Sequence, residues 1–231
     1  MAFDFAAGEI LLLDKPLTWT SFDVVKKVRN TLRVKKIGHA GTLDPLASGL
    51  LILCTGKYTK RIDEIQAQEK EYIGTITIGQ TTPSYDLETP VSESRDISHL
   101  TENDLKRAAE TFVGTIEQVP PIYSAVWVDG QRAYDLARGG KTAEMKPRTI
   151  TIKAFDITGI EGPVVSFKVI CTKGTYIRSL AHDFGQQLGC GAHLSSLIRS
   201  RIGDYKVEDA LTIEDIQAIR QAQLAADGSN S

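Results

Sequence analysis

Two runs of alternating apolar and polar residues, Thr149 to Ile157 and Val164 to Thr172, constrain this chain most. A period of two is the signature of a half-buried strand, and Gly159 and Gly162-Pro163 supply the turn residues that join the runs as an antiparallel pair. A strictly alternating βαβ protein has no place for such a hairpin. A third run, Lys70 to Gly79, alternates in the same way and directs Tyr72, Gly74, Ile76 and Ile78 to one face. Tyr72 then stands at the start of that buried face, as a core aromatic with its hydroxyl at the rim or as a residue of a site.

Helical signals lie between the strands. Thr20 with Asp23, Thr101 with Asp104 and Thr212 with Asp215 each have the spacing of a capping box. They predict helices through about Arg33, Phe112 and Leu224. In the first, Phe22, Val25, Val28 and Leu32 fall at helical spacing, which puts the lysines outward. Further helices are expected over Lys57 to Gln68, Arg132 to Arg138 (closed by Gly139-Gly140) and Lys173 to Leu188. Further strands are expected over Glu9 to Asp14, Leu50 to Cys54, Tyr123 to Val128 (followed by an Asp129-Gly130 turn) and Arg199 to Val207. Strands and helices mixed in this order indicate an α+β fold with a mixed, largely antiparallel sheet flanked by helices. No fixed-period repeat and no long linker interrupts the 231 residues. Residues 1–211 are expected to form one domain and 212–231 a terminal helix with a disordered tail.

The formal charge is −2 and hides an uneven distribution. Lys26, Lys27, Arg29, Arg33, Lys35 and Lys36 follow one another without an acid among them, whereas acids gather in Asp86 to Glu110 and beyond Asp204. One basic and one acidic face suit either a polyanion in a single groove or a solvated helix surface. Cys54, Cys171 and Cys190 show no CxxC spacing and read as reduced, buried thiols. The four histidines are too scattered for a metal site. No run of roughly 18 apolar residues exists to span a membrane, and no signal peptide is recognisable. A soluble, cytoplasmic protein without membrane contact is the expectation. Thr55-Gly56-Lys57 lacks the first glycine and the trailing Ser/Thr of a phosphate-binding loop.

The densest chemistry lies in Gly38-His39-Ala40-Gly41-Thr42-Leu43-Asp44-Pro45-Leu46-Ala47-Ser48-Gly49. Asp44 precedes a proline, which biases it toward an extended or turn conformation. Pro45 suits a first helical position and Gly49 the end of a short turn, so Asp44 reads as an N-cap. Its alternative reading is a reactive carboxylate, since Gly38 and Gly41 let the backbone approach another molecule and His39 adds a titratable donor.

Several segments together resemble the TruB-type tRNA pseudouridine synthases over about residues 9 to 205. Asp14-Lys15-Pro16 with Thr20-Ser21 resembles the first motif, and the Gly38 to Gly49 stretch resembles the catalytic one. Lys70-Glu71-Tyr72, Val119-Pro120-Pro121 with Tyr123-Ser124-Ala125, and Tyr134 with Ala137-Arg138 are similar to further family stretches. Lys173-Gly174-Thr175-Tyr176-Ile177-Arg178-Ser179-Leu180 with Asp183 and Gly185 resembles the arginine motif, and His193-Leu194 with Leu197 the closing one. Thr18 and Thr89 stand where the family usually has glycine. The resemblance implies the pseudouridine synthase fold with a central RNA-binding cleft, here as a catalytic core without the C-terminal PUA-type module.

The implied reaction converts a uridine in the T loop of tRNA, at position 55, to pseudouridine, with no cofactor and no metal. Asp44 would be the nucleophile or base. Arg178 would keep it ionised, or else make a phosphate or structural salt-bridge contact. Tyr72 would stack on the extruded uracil and take the proton from its carbon. His39 would act at the vacated position or merely satisfy the loop. Lys15, Lys173, Tyr176 and the Lys26 to Lys36 stripe would contact phosphate and ribose. Asp86 would hydrogen-bond near the pocket, and Leu197 would wall it. The implied partner is the T stem-loop of tRNA, bound by a monomer. A non-catalytic RNA-binding protein on the same scaffold is the alternative. An aspartate-nucleophile glycosidase would need a second carboxylate that the sequence does not suggest.

Overall fold

The computed structural model describes residues 3–124, 126–128, 130–139 and 144–228. The expected turn residue Asp129, the helix-closing Gly140, Ala125 and the tail beyond Gly228 lie outside them. In chain order the elements are β1 Ile10–Lys15, α1 Ser21–Leu32, β2 Ile37–His39, β3 Ala47–Thr55, α2 Ile62–Ala67, β4 Lys70–Ile78, β5 Gln80–Thr81 and β6 Glu93–Ser94. Next come α3 Glu102–Glu110, β7 Gly114–Gln118, β8 Trp127–Val128, β9 Gln131–Arg132, α4 Ala133–Arg138, β10 Arg148–Glu161 and β11 Val164–Cys171. The chain closes with α5 Ile177–Gln187, β12 Ala192–Ile202, β13 Tyr205–Lys206 and α6 Ile213–Gly228. The fold is α+β with a mixed sheet flanked by helices.

The chain divides into two compact units. The first comprises Met1–Glu71 and Ile198–Ser231, the second Tyr72–Leu197. In the first, β3 pairs antiparallel with β1 from Ile10↔Cys54 to Lys15↔Gly49, and with β2 from Ile37↔Thr55 to His39↔Leu53. The part of β12 beyond Ile198 carries β13 on its end, Arg201↔Lys206 and Ile202↔Tyr205. Leu50 to Cys54 is fully buried, as a continuous apolar run between two covered faces requires. One face meets α1 and α6 through Leu11, Leu13, Val24, Val28, Leu51, Leu53 and Ile216.

In the second unit, β10 pairs with β11 and, on its other edge, with β7 from Arg148↔Gln118 to Ile152↔Gly114. The expected hairpin is present, with its turn at Gly162-Pro163. Helix α3 packs on β10 and α5, where Phe155 meets Phe167 edge-on at 6.1 Å and Phe184 at 5.4 Å between ring centres.

Helix α1 carries the expected capping box: Thr20 Oγ1 accepts from Asp23 N while Asp23 accepts from Thr20 N. Its inward face differs from the sequence reading. Ser21, Val24, Val28 and Leu32 are buried, and Phe22 is 70 % exposed. Helical spacing admits either set, and packing against Leu11, Leu13, Leu51 and Leu53 selects the face that carries Val24 and leaves Phe22 in solvent. The expected short turn at Pro45 is present but ends before Gly49. Ala47 N donates to Asp44 O to close one turn, and β3 begins at once. Gly49 is thus a strand residue with φ +97°, and a Cβ there would stand 2.5 Å from Arg199 O. Close backbone approach, not helix termination, requires the glycine.

Elsewhere the boundaries move. Lys57 to Gln68 splits into a 3-10 turn, Gly56–Arg61, and α2. Among the described residues of the expected Tyr123 to Val128 strand, Trp127 and Val128 form β8. The last strand begins at Ala192, not Arg199, and Gly203 turns it back into β13. Helix α5 starts at Ile177 because Gly174 (φ +85°) holds Lys173-Gly174 in a turn. Cys54, Cys171 and Cys190 are buried, and none of them is in a disulfide among the described residues. Among the described residues no helix is long and apolar enough to cross a membrane.

Candidate active site

In the first unit, one short loop presents Asp44. His39 ends β2, and Ala40 N prolongs the pairing by donating to Ile52 O at 2.9 Å. Gly41 then turns with φ +89°, which a side chain would adopt only under strain. The loop is held from three directions. Ser21 Oγ donates to Leu43 O (3.1 Å) and accepts from Leu43 N (2.9 Å). Thr18 N donates to Pro45 O at 2.8 Å. Arg199 donates to Gly41 O (3.1 Å), Thr42 O (3.3 Å) and Leu50 O (2.8 Å), and it is 1 % exposed. Asp44 is half-buried between these clamps.

The electrostatics of this loop follow from burial. Lys15, expected at phosphate, is instead fully buried, and its Nζ donates to Trp19 O (2.6 Å) and Pro16 O (3.0 Å). The reason is register: opposite Gly49 its side chain points into the packed interior, where it ties down the chain entering α1. Burial lowers the Lys15 pKa to about 8, while the Asp44 carboxylate pulls it back up and Arg199 pushes it further down. His39 is half-buried and held below the usual imidazole range by desolvation, the Gly41 backbone opposing and Arg199 adding to the fall. It is therefore a neutral ring at pH 7.

The second unit holds Tyr72, Asp86, Tyr176, Arg178 and Leu197, and it brings Asp86 and Arg178 together. Tyr72 sits on β4 with 8 % exposure, on the same face as buried Ile76 and Ile78, as alternation requires. Leu197 is buried on β12, and its Cα would lie 3.2 Å from a Cβ on Gly74, so only glycine fits there. Arg178, in the first turn of α5, is 5 % exposed and donates to Tyr123 O at 2.9 Å. Its Nε lies 3.6 Å from the Asp86 carboxylate, itself 5 % exposed. Thr82 Oγ1 donates to Asp86 O (2.6 Å), and Asp86 accepts from Glu88 N (3.0 Å). Thr89 takes part where glycine is usual: its Oγ1 accepts from Ser84 N at 3.0 Å and meets Ser84 Oγ at 2.8 Å.

Around this pair the sequence reading missed a stacked clamp. Tyr85, at φ +64°, lies flat on His182, one turn beyond Arg178, with ring centres 3.9 Å apart and planes 16° apart. Leu194 N donates to Tyr85 O at 2.9 Å. Burial pushes the Asp183 carboxyl up to about 6 and lowers His182. Tyr176 caps α5 without using its side chain; Gln118 instead holds both Tyr176 N (2.8 Å) and Tyr176 O (3.0 Å). That leaves the Tyr176 ring beneath the Arg148 guanidinium at 5.5 Å. Lys173 is exposed in the turn before it.

Two further residues escaped the sequence reading, Arg199 and Ser21. Arg199 sits in Ser196-Leu197-Ile198-Arg199-Ser200-Arg201, where an arginine among serines and a second arginine looks like a solvent-facing strand charge. Its alternation with buried Leu197 was the available signal. The basic stripe is as expected: Lys26, Arg29, Arg33, Lys35 and Lys36 are exposed on and after α1. A groove of about 520 Å³ lies between Thr18, Trp19, Asp23, Lys26, Lys27 and Asn30.

The family model of the TruB pseudouridylate synthase N-terminal domain matches residues 29–177, and that of the tRNA pseudouridylate synthase B C-terminal domain matches residues 178–228. The tRNA pseudouridine synthase B of Parabacteroides distasonis is 52 % identical over 219 residues, which cover 92 % of this chain and 93 % of that protein. That of Flavobacterium johnsoniae is 50 % identical over 217 residues, 91 % of this chain and 95 % of its own. Among solved structures, a chain of the archaeal box H/ACA sRNP Nop10–Cbf5 complex matches 94 % of this chain with a TM-score of 0.70 and 27 % identity. A Cbf5–Nop10–Gar1 complex matches 91 % with a TM-score of 0.71 and 32 % identity. This chain spans about half the length of those two chains, 55 % and 54 %.

Proposed function

The chain belongs to the TruB family of pseudouridylate synthases, isomerases that convert uridine in tRNA to pseudouridine, and we propose that its target is uridine 55 in the T loop. The observation that carries this reading is the Asp44 loop. An intact Gly38 to Gly49 motif is clamped on three sides around one half-buried carboxylate, in a chain about half identical to named tRNA pseudouridine synthases over nine-tenths of its length.

In the proposed mechanism the target uridine leaves its stack, at a cost of a few kcal/mol. His39, neutral and therefore cheap to desolvate, takes up the vacated position. Asp44 acts as nucleophile or base while the bond from the sugar to the base nitrogen breaks and a bond from the sugar to the base carbon forms. The nitrogen gains a proton and the carbon loses one, so nothing is consumed. Tyr72 stacks on the uracil and takes the carbon-bound proton through its hydroxyl. Arg178 is the guanidinium assigned to keep the reacting carboxylate ionised, and Asp86 orients it. Leu197 walls the base. Lys173, Tyr176 and the exposed cations of α1 hold phosphate and ribose without reading sequence. Lys15 has a different role: with its ammonium bound to two carbonyls, it braces the loop from below. The reading includes action as a cytoplasmic monomer on the T stem-loop.

The test is incubation with an unmodified tRNA transcript, followed by nucleoside mapping of the T loop. Conversion at position 55 is expected, and Asp44→Asn should bind the transcript yet release no tritium from 5-tritiated uridine. Wild-type release by Asp44→Asn would remove the carboxylate assignment. Free uracil as product would indicate hydrolysis instead.

A further inference from the structure

We propose that Arg199 is a positioning residue for Asp44: its buried guanidinium grips the carbonyls of the loop and so sets the direction and the electrostatic surroundings of the reacting carboxylate. The inference rests on the assignment of Asp44 made above and extends it to a residue on another strand.

The geometry begins with the carbonyls. Gly41 at φ +89° turns the chain so that Gly41 O and Thr42 O face inward, and Leu50 O of β3 faces the same point. Leu50 is buried and Gly41 half-buried, while Thr42 is exposed, so the Leu50 carbonyl depends most on a donor from the protein. Arg199 meets all three from β12, Nε on Leu50 and the two terminal nitrogens on Thr42 and Gly41, at 2.8, 3.3 and 3.1 Å. A guanidinium suits this because its donors lie in one rigid plane, whereas an ammonium offers a compact point charge. The backbone of Arg199 is also pressed close, with its O where a Cβ on Gly49 would be only 2.5 Å away. Arg199 thus ties β3 and the loop to the strand end that begins at Ile198, and Asp44 follows two residues after Thr42.

Charge adds a second effect. Lys15 feels both the Asp44 carboxylate and Arg199, and His39 also feels Arg199. Two buried cations thus share the neighbourhood of one half-buried carboxylate. A fixed positive charge there favours the ionised acid.

Arg199→Lys keeps the charge and loses the fork, while Arg199→Gln loses both. Melting temperatures establish that each variant is folded. Single-turnover tritium release and tRNA affinity are then measured across pH. For Arg199→Lys the expected result is affinity within a few-fold of wild type and a single-turnover rate down about 100-fold, the loss typical of a misaimed reacting group. For Arg199→Gln the acidic limb of the rate profile should also move up by about one pH unit. Loss of affinity in proportion to rate, or a wild-type rate in Arg199→Lys, overturns the proposal. So does an acidic limb that stays in place in Arg199→Gln.

Two readouts need no turnover. Carboxyl NMR of Asp44 should show its titration moving upward in Arg199→Gln, even if the chain makes no pseudouridine. In the unaltered protein, Arg199 Nε–H should exchange with solvent as slowly as the amides of β3, and fast exchange would contradict the clamp. Failure of the T-loop reading shows as no conversion in the wild type, and failure of this one as an unmoved Asp44 titration.

Discussion

Ser21 and Leu43 satisfy each other completely: the buried hydroxyl at the start of α1 both donates to and accepts from the backbone of the residue before Asp44. The bond pair ties a helix start to the loop that carries Asp44. Ser21→Ala leaves a buried N–H and C=O without partners and should cost ~1–3 kcal/mol by chemical denaturation. Single-turnover rate should fall more than tRNA affinity, because the loop binds no phosphate through Leu43. Unchanged stability would show that water replaces the hydroxyl.

Thr18 stands at φ +69°, a conformation that a β-branched residue adopts only under strain, in the loop whose amide holds Pro45 O. Left-handed geometry costs an ordinary residue roughly 1–2 kcal/mol. Thr18→Gly relieves that strain and gives part of it back as chain entropy. A stabilisation of up to ~1 kcal/mol is expected, read as a higher melting temperature with activity retained. A lower melting temperature would mean that the Thr18 side chain contributes more than its backbone costs.

Asp183 is a carboxyl pushed up to about 6 from 3.8 by burial. The unfolded chain therefore loses this proton first as pH rises, and the folded state holds it longer. Stability from this group is full below about pH 4, falls as pH rises toward 6 and is flat above. Asp183→Asn keeps the shape without the charge. It should flatten that segment of the stability–pH curve and raise stability at pH 7 by on the order of 1 kcal/mol, since partial solvent contact screens the penalty. Equal slopes in the two proteins would locate the pH dependence elsewhere.

The exposed cations of α1, Lys26, Arg29 and Arg33, are predicted to neutralise tRNA phosphates. Converting all three to glutamine should reduce the slope of log affinity against log salt by about 2 to 3, with little change in turnover of bound tRNA. An unchanged slope would return this face to a solvated helix surface.

The reading of helices from sequence succeeded where the deciding contacts are local. All three Thr–Asp capping boxes form as expected, at Thr20, Thr101 and Thr212, because donor and acceptor lie within three residues of each other. Alternation likewise placed Tyr72 on the buried face of β4, since successive side chains must point to opposite sides. The face of α1 was misjudged because Phe22 satisfies helical spacing as well as Val24 does, and only the packed sheet distinguishes them.

The sequence by itself determined the α+β class, the motif around Asp44, the arginine of α5 and the family. What stands behind Asp44 was decided by tertiary structure alone. Arg199 reaches Gly41 across 158 positions and Leu50 across 149, and Thr89 substitutes for an expected glycine through bonds to Ser84. Spacing within one segment records caps and faces. A buried cation's partners are carbonyls that every residue carries, so no side-chain pattern can announce them before the strands are laid side by side.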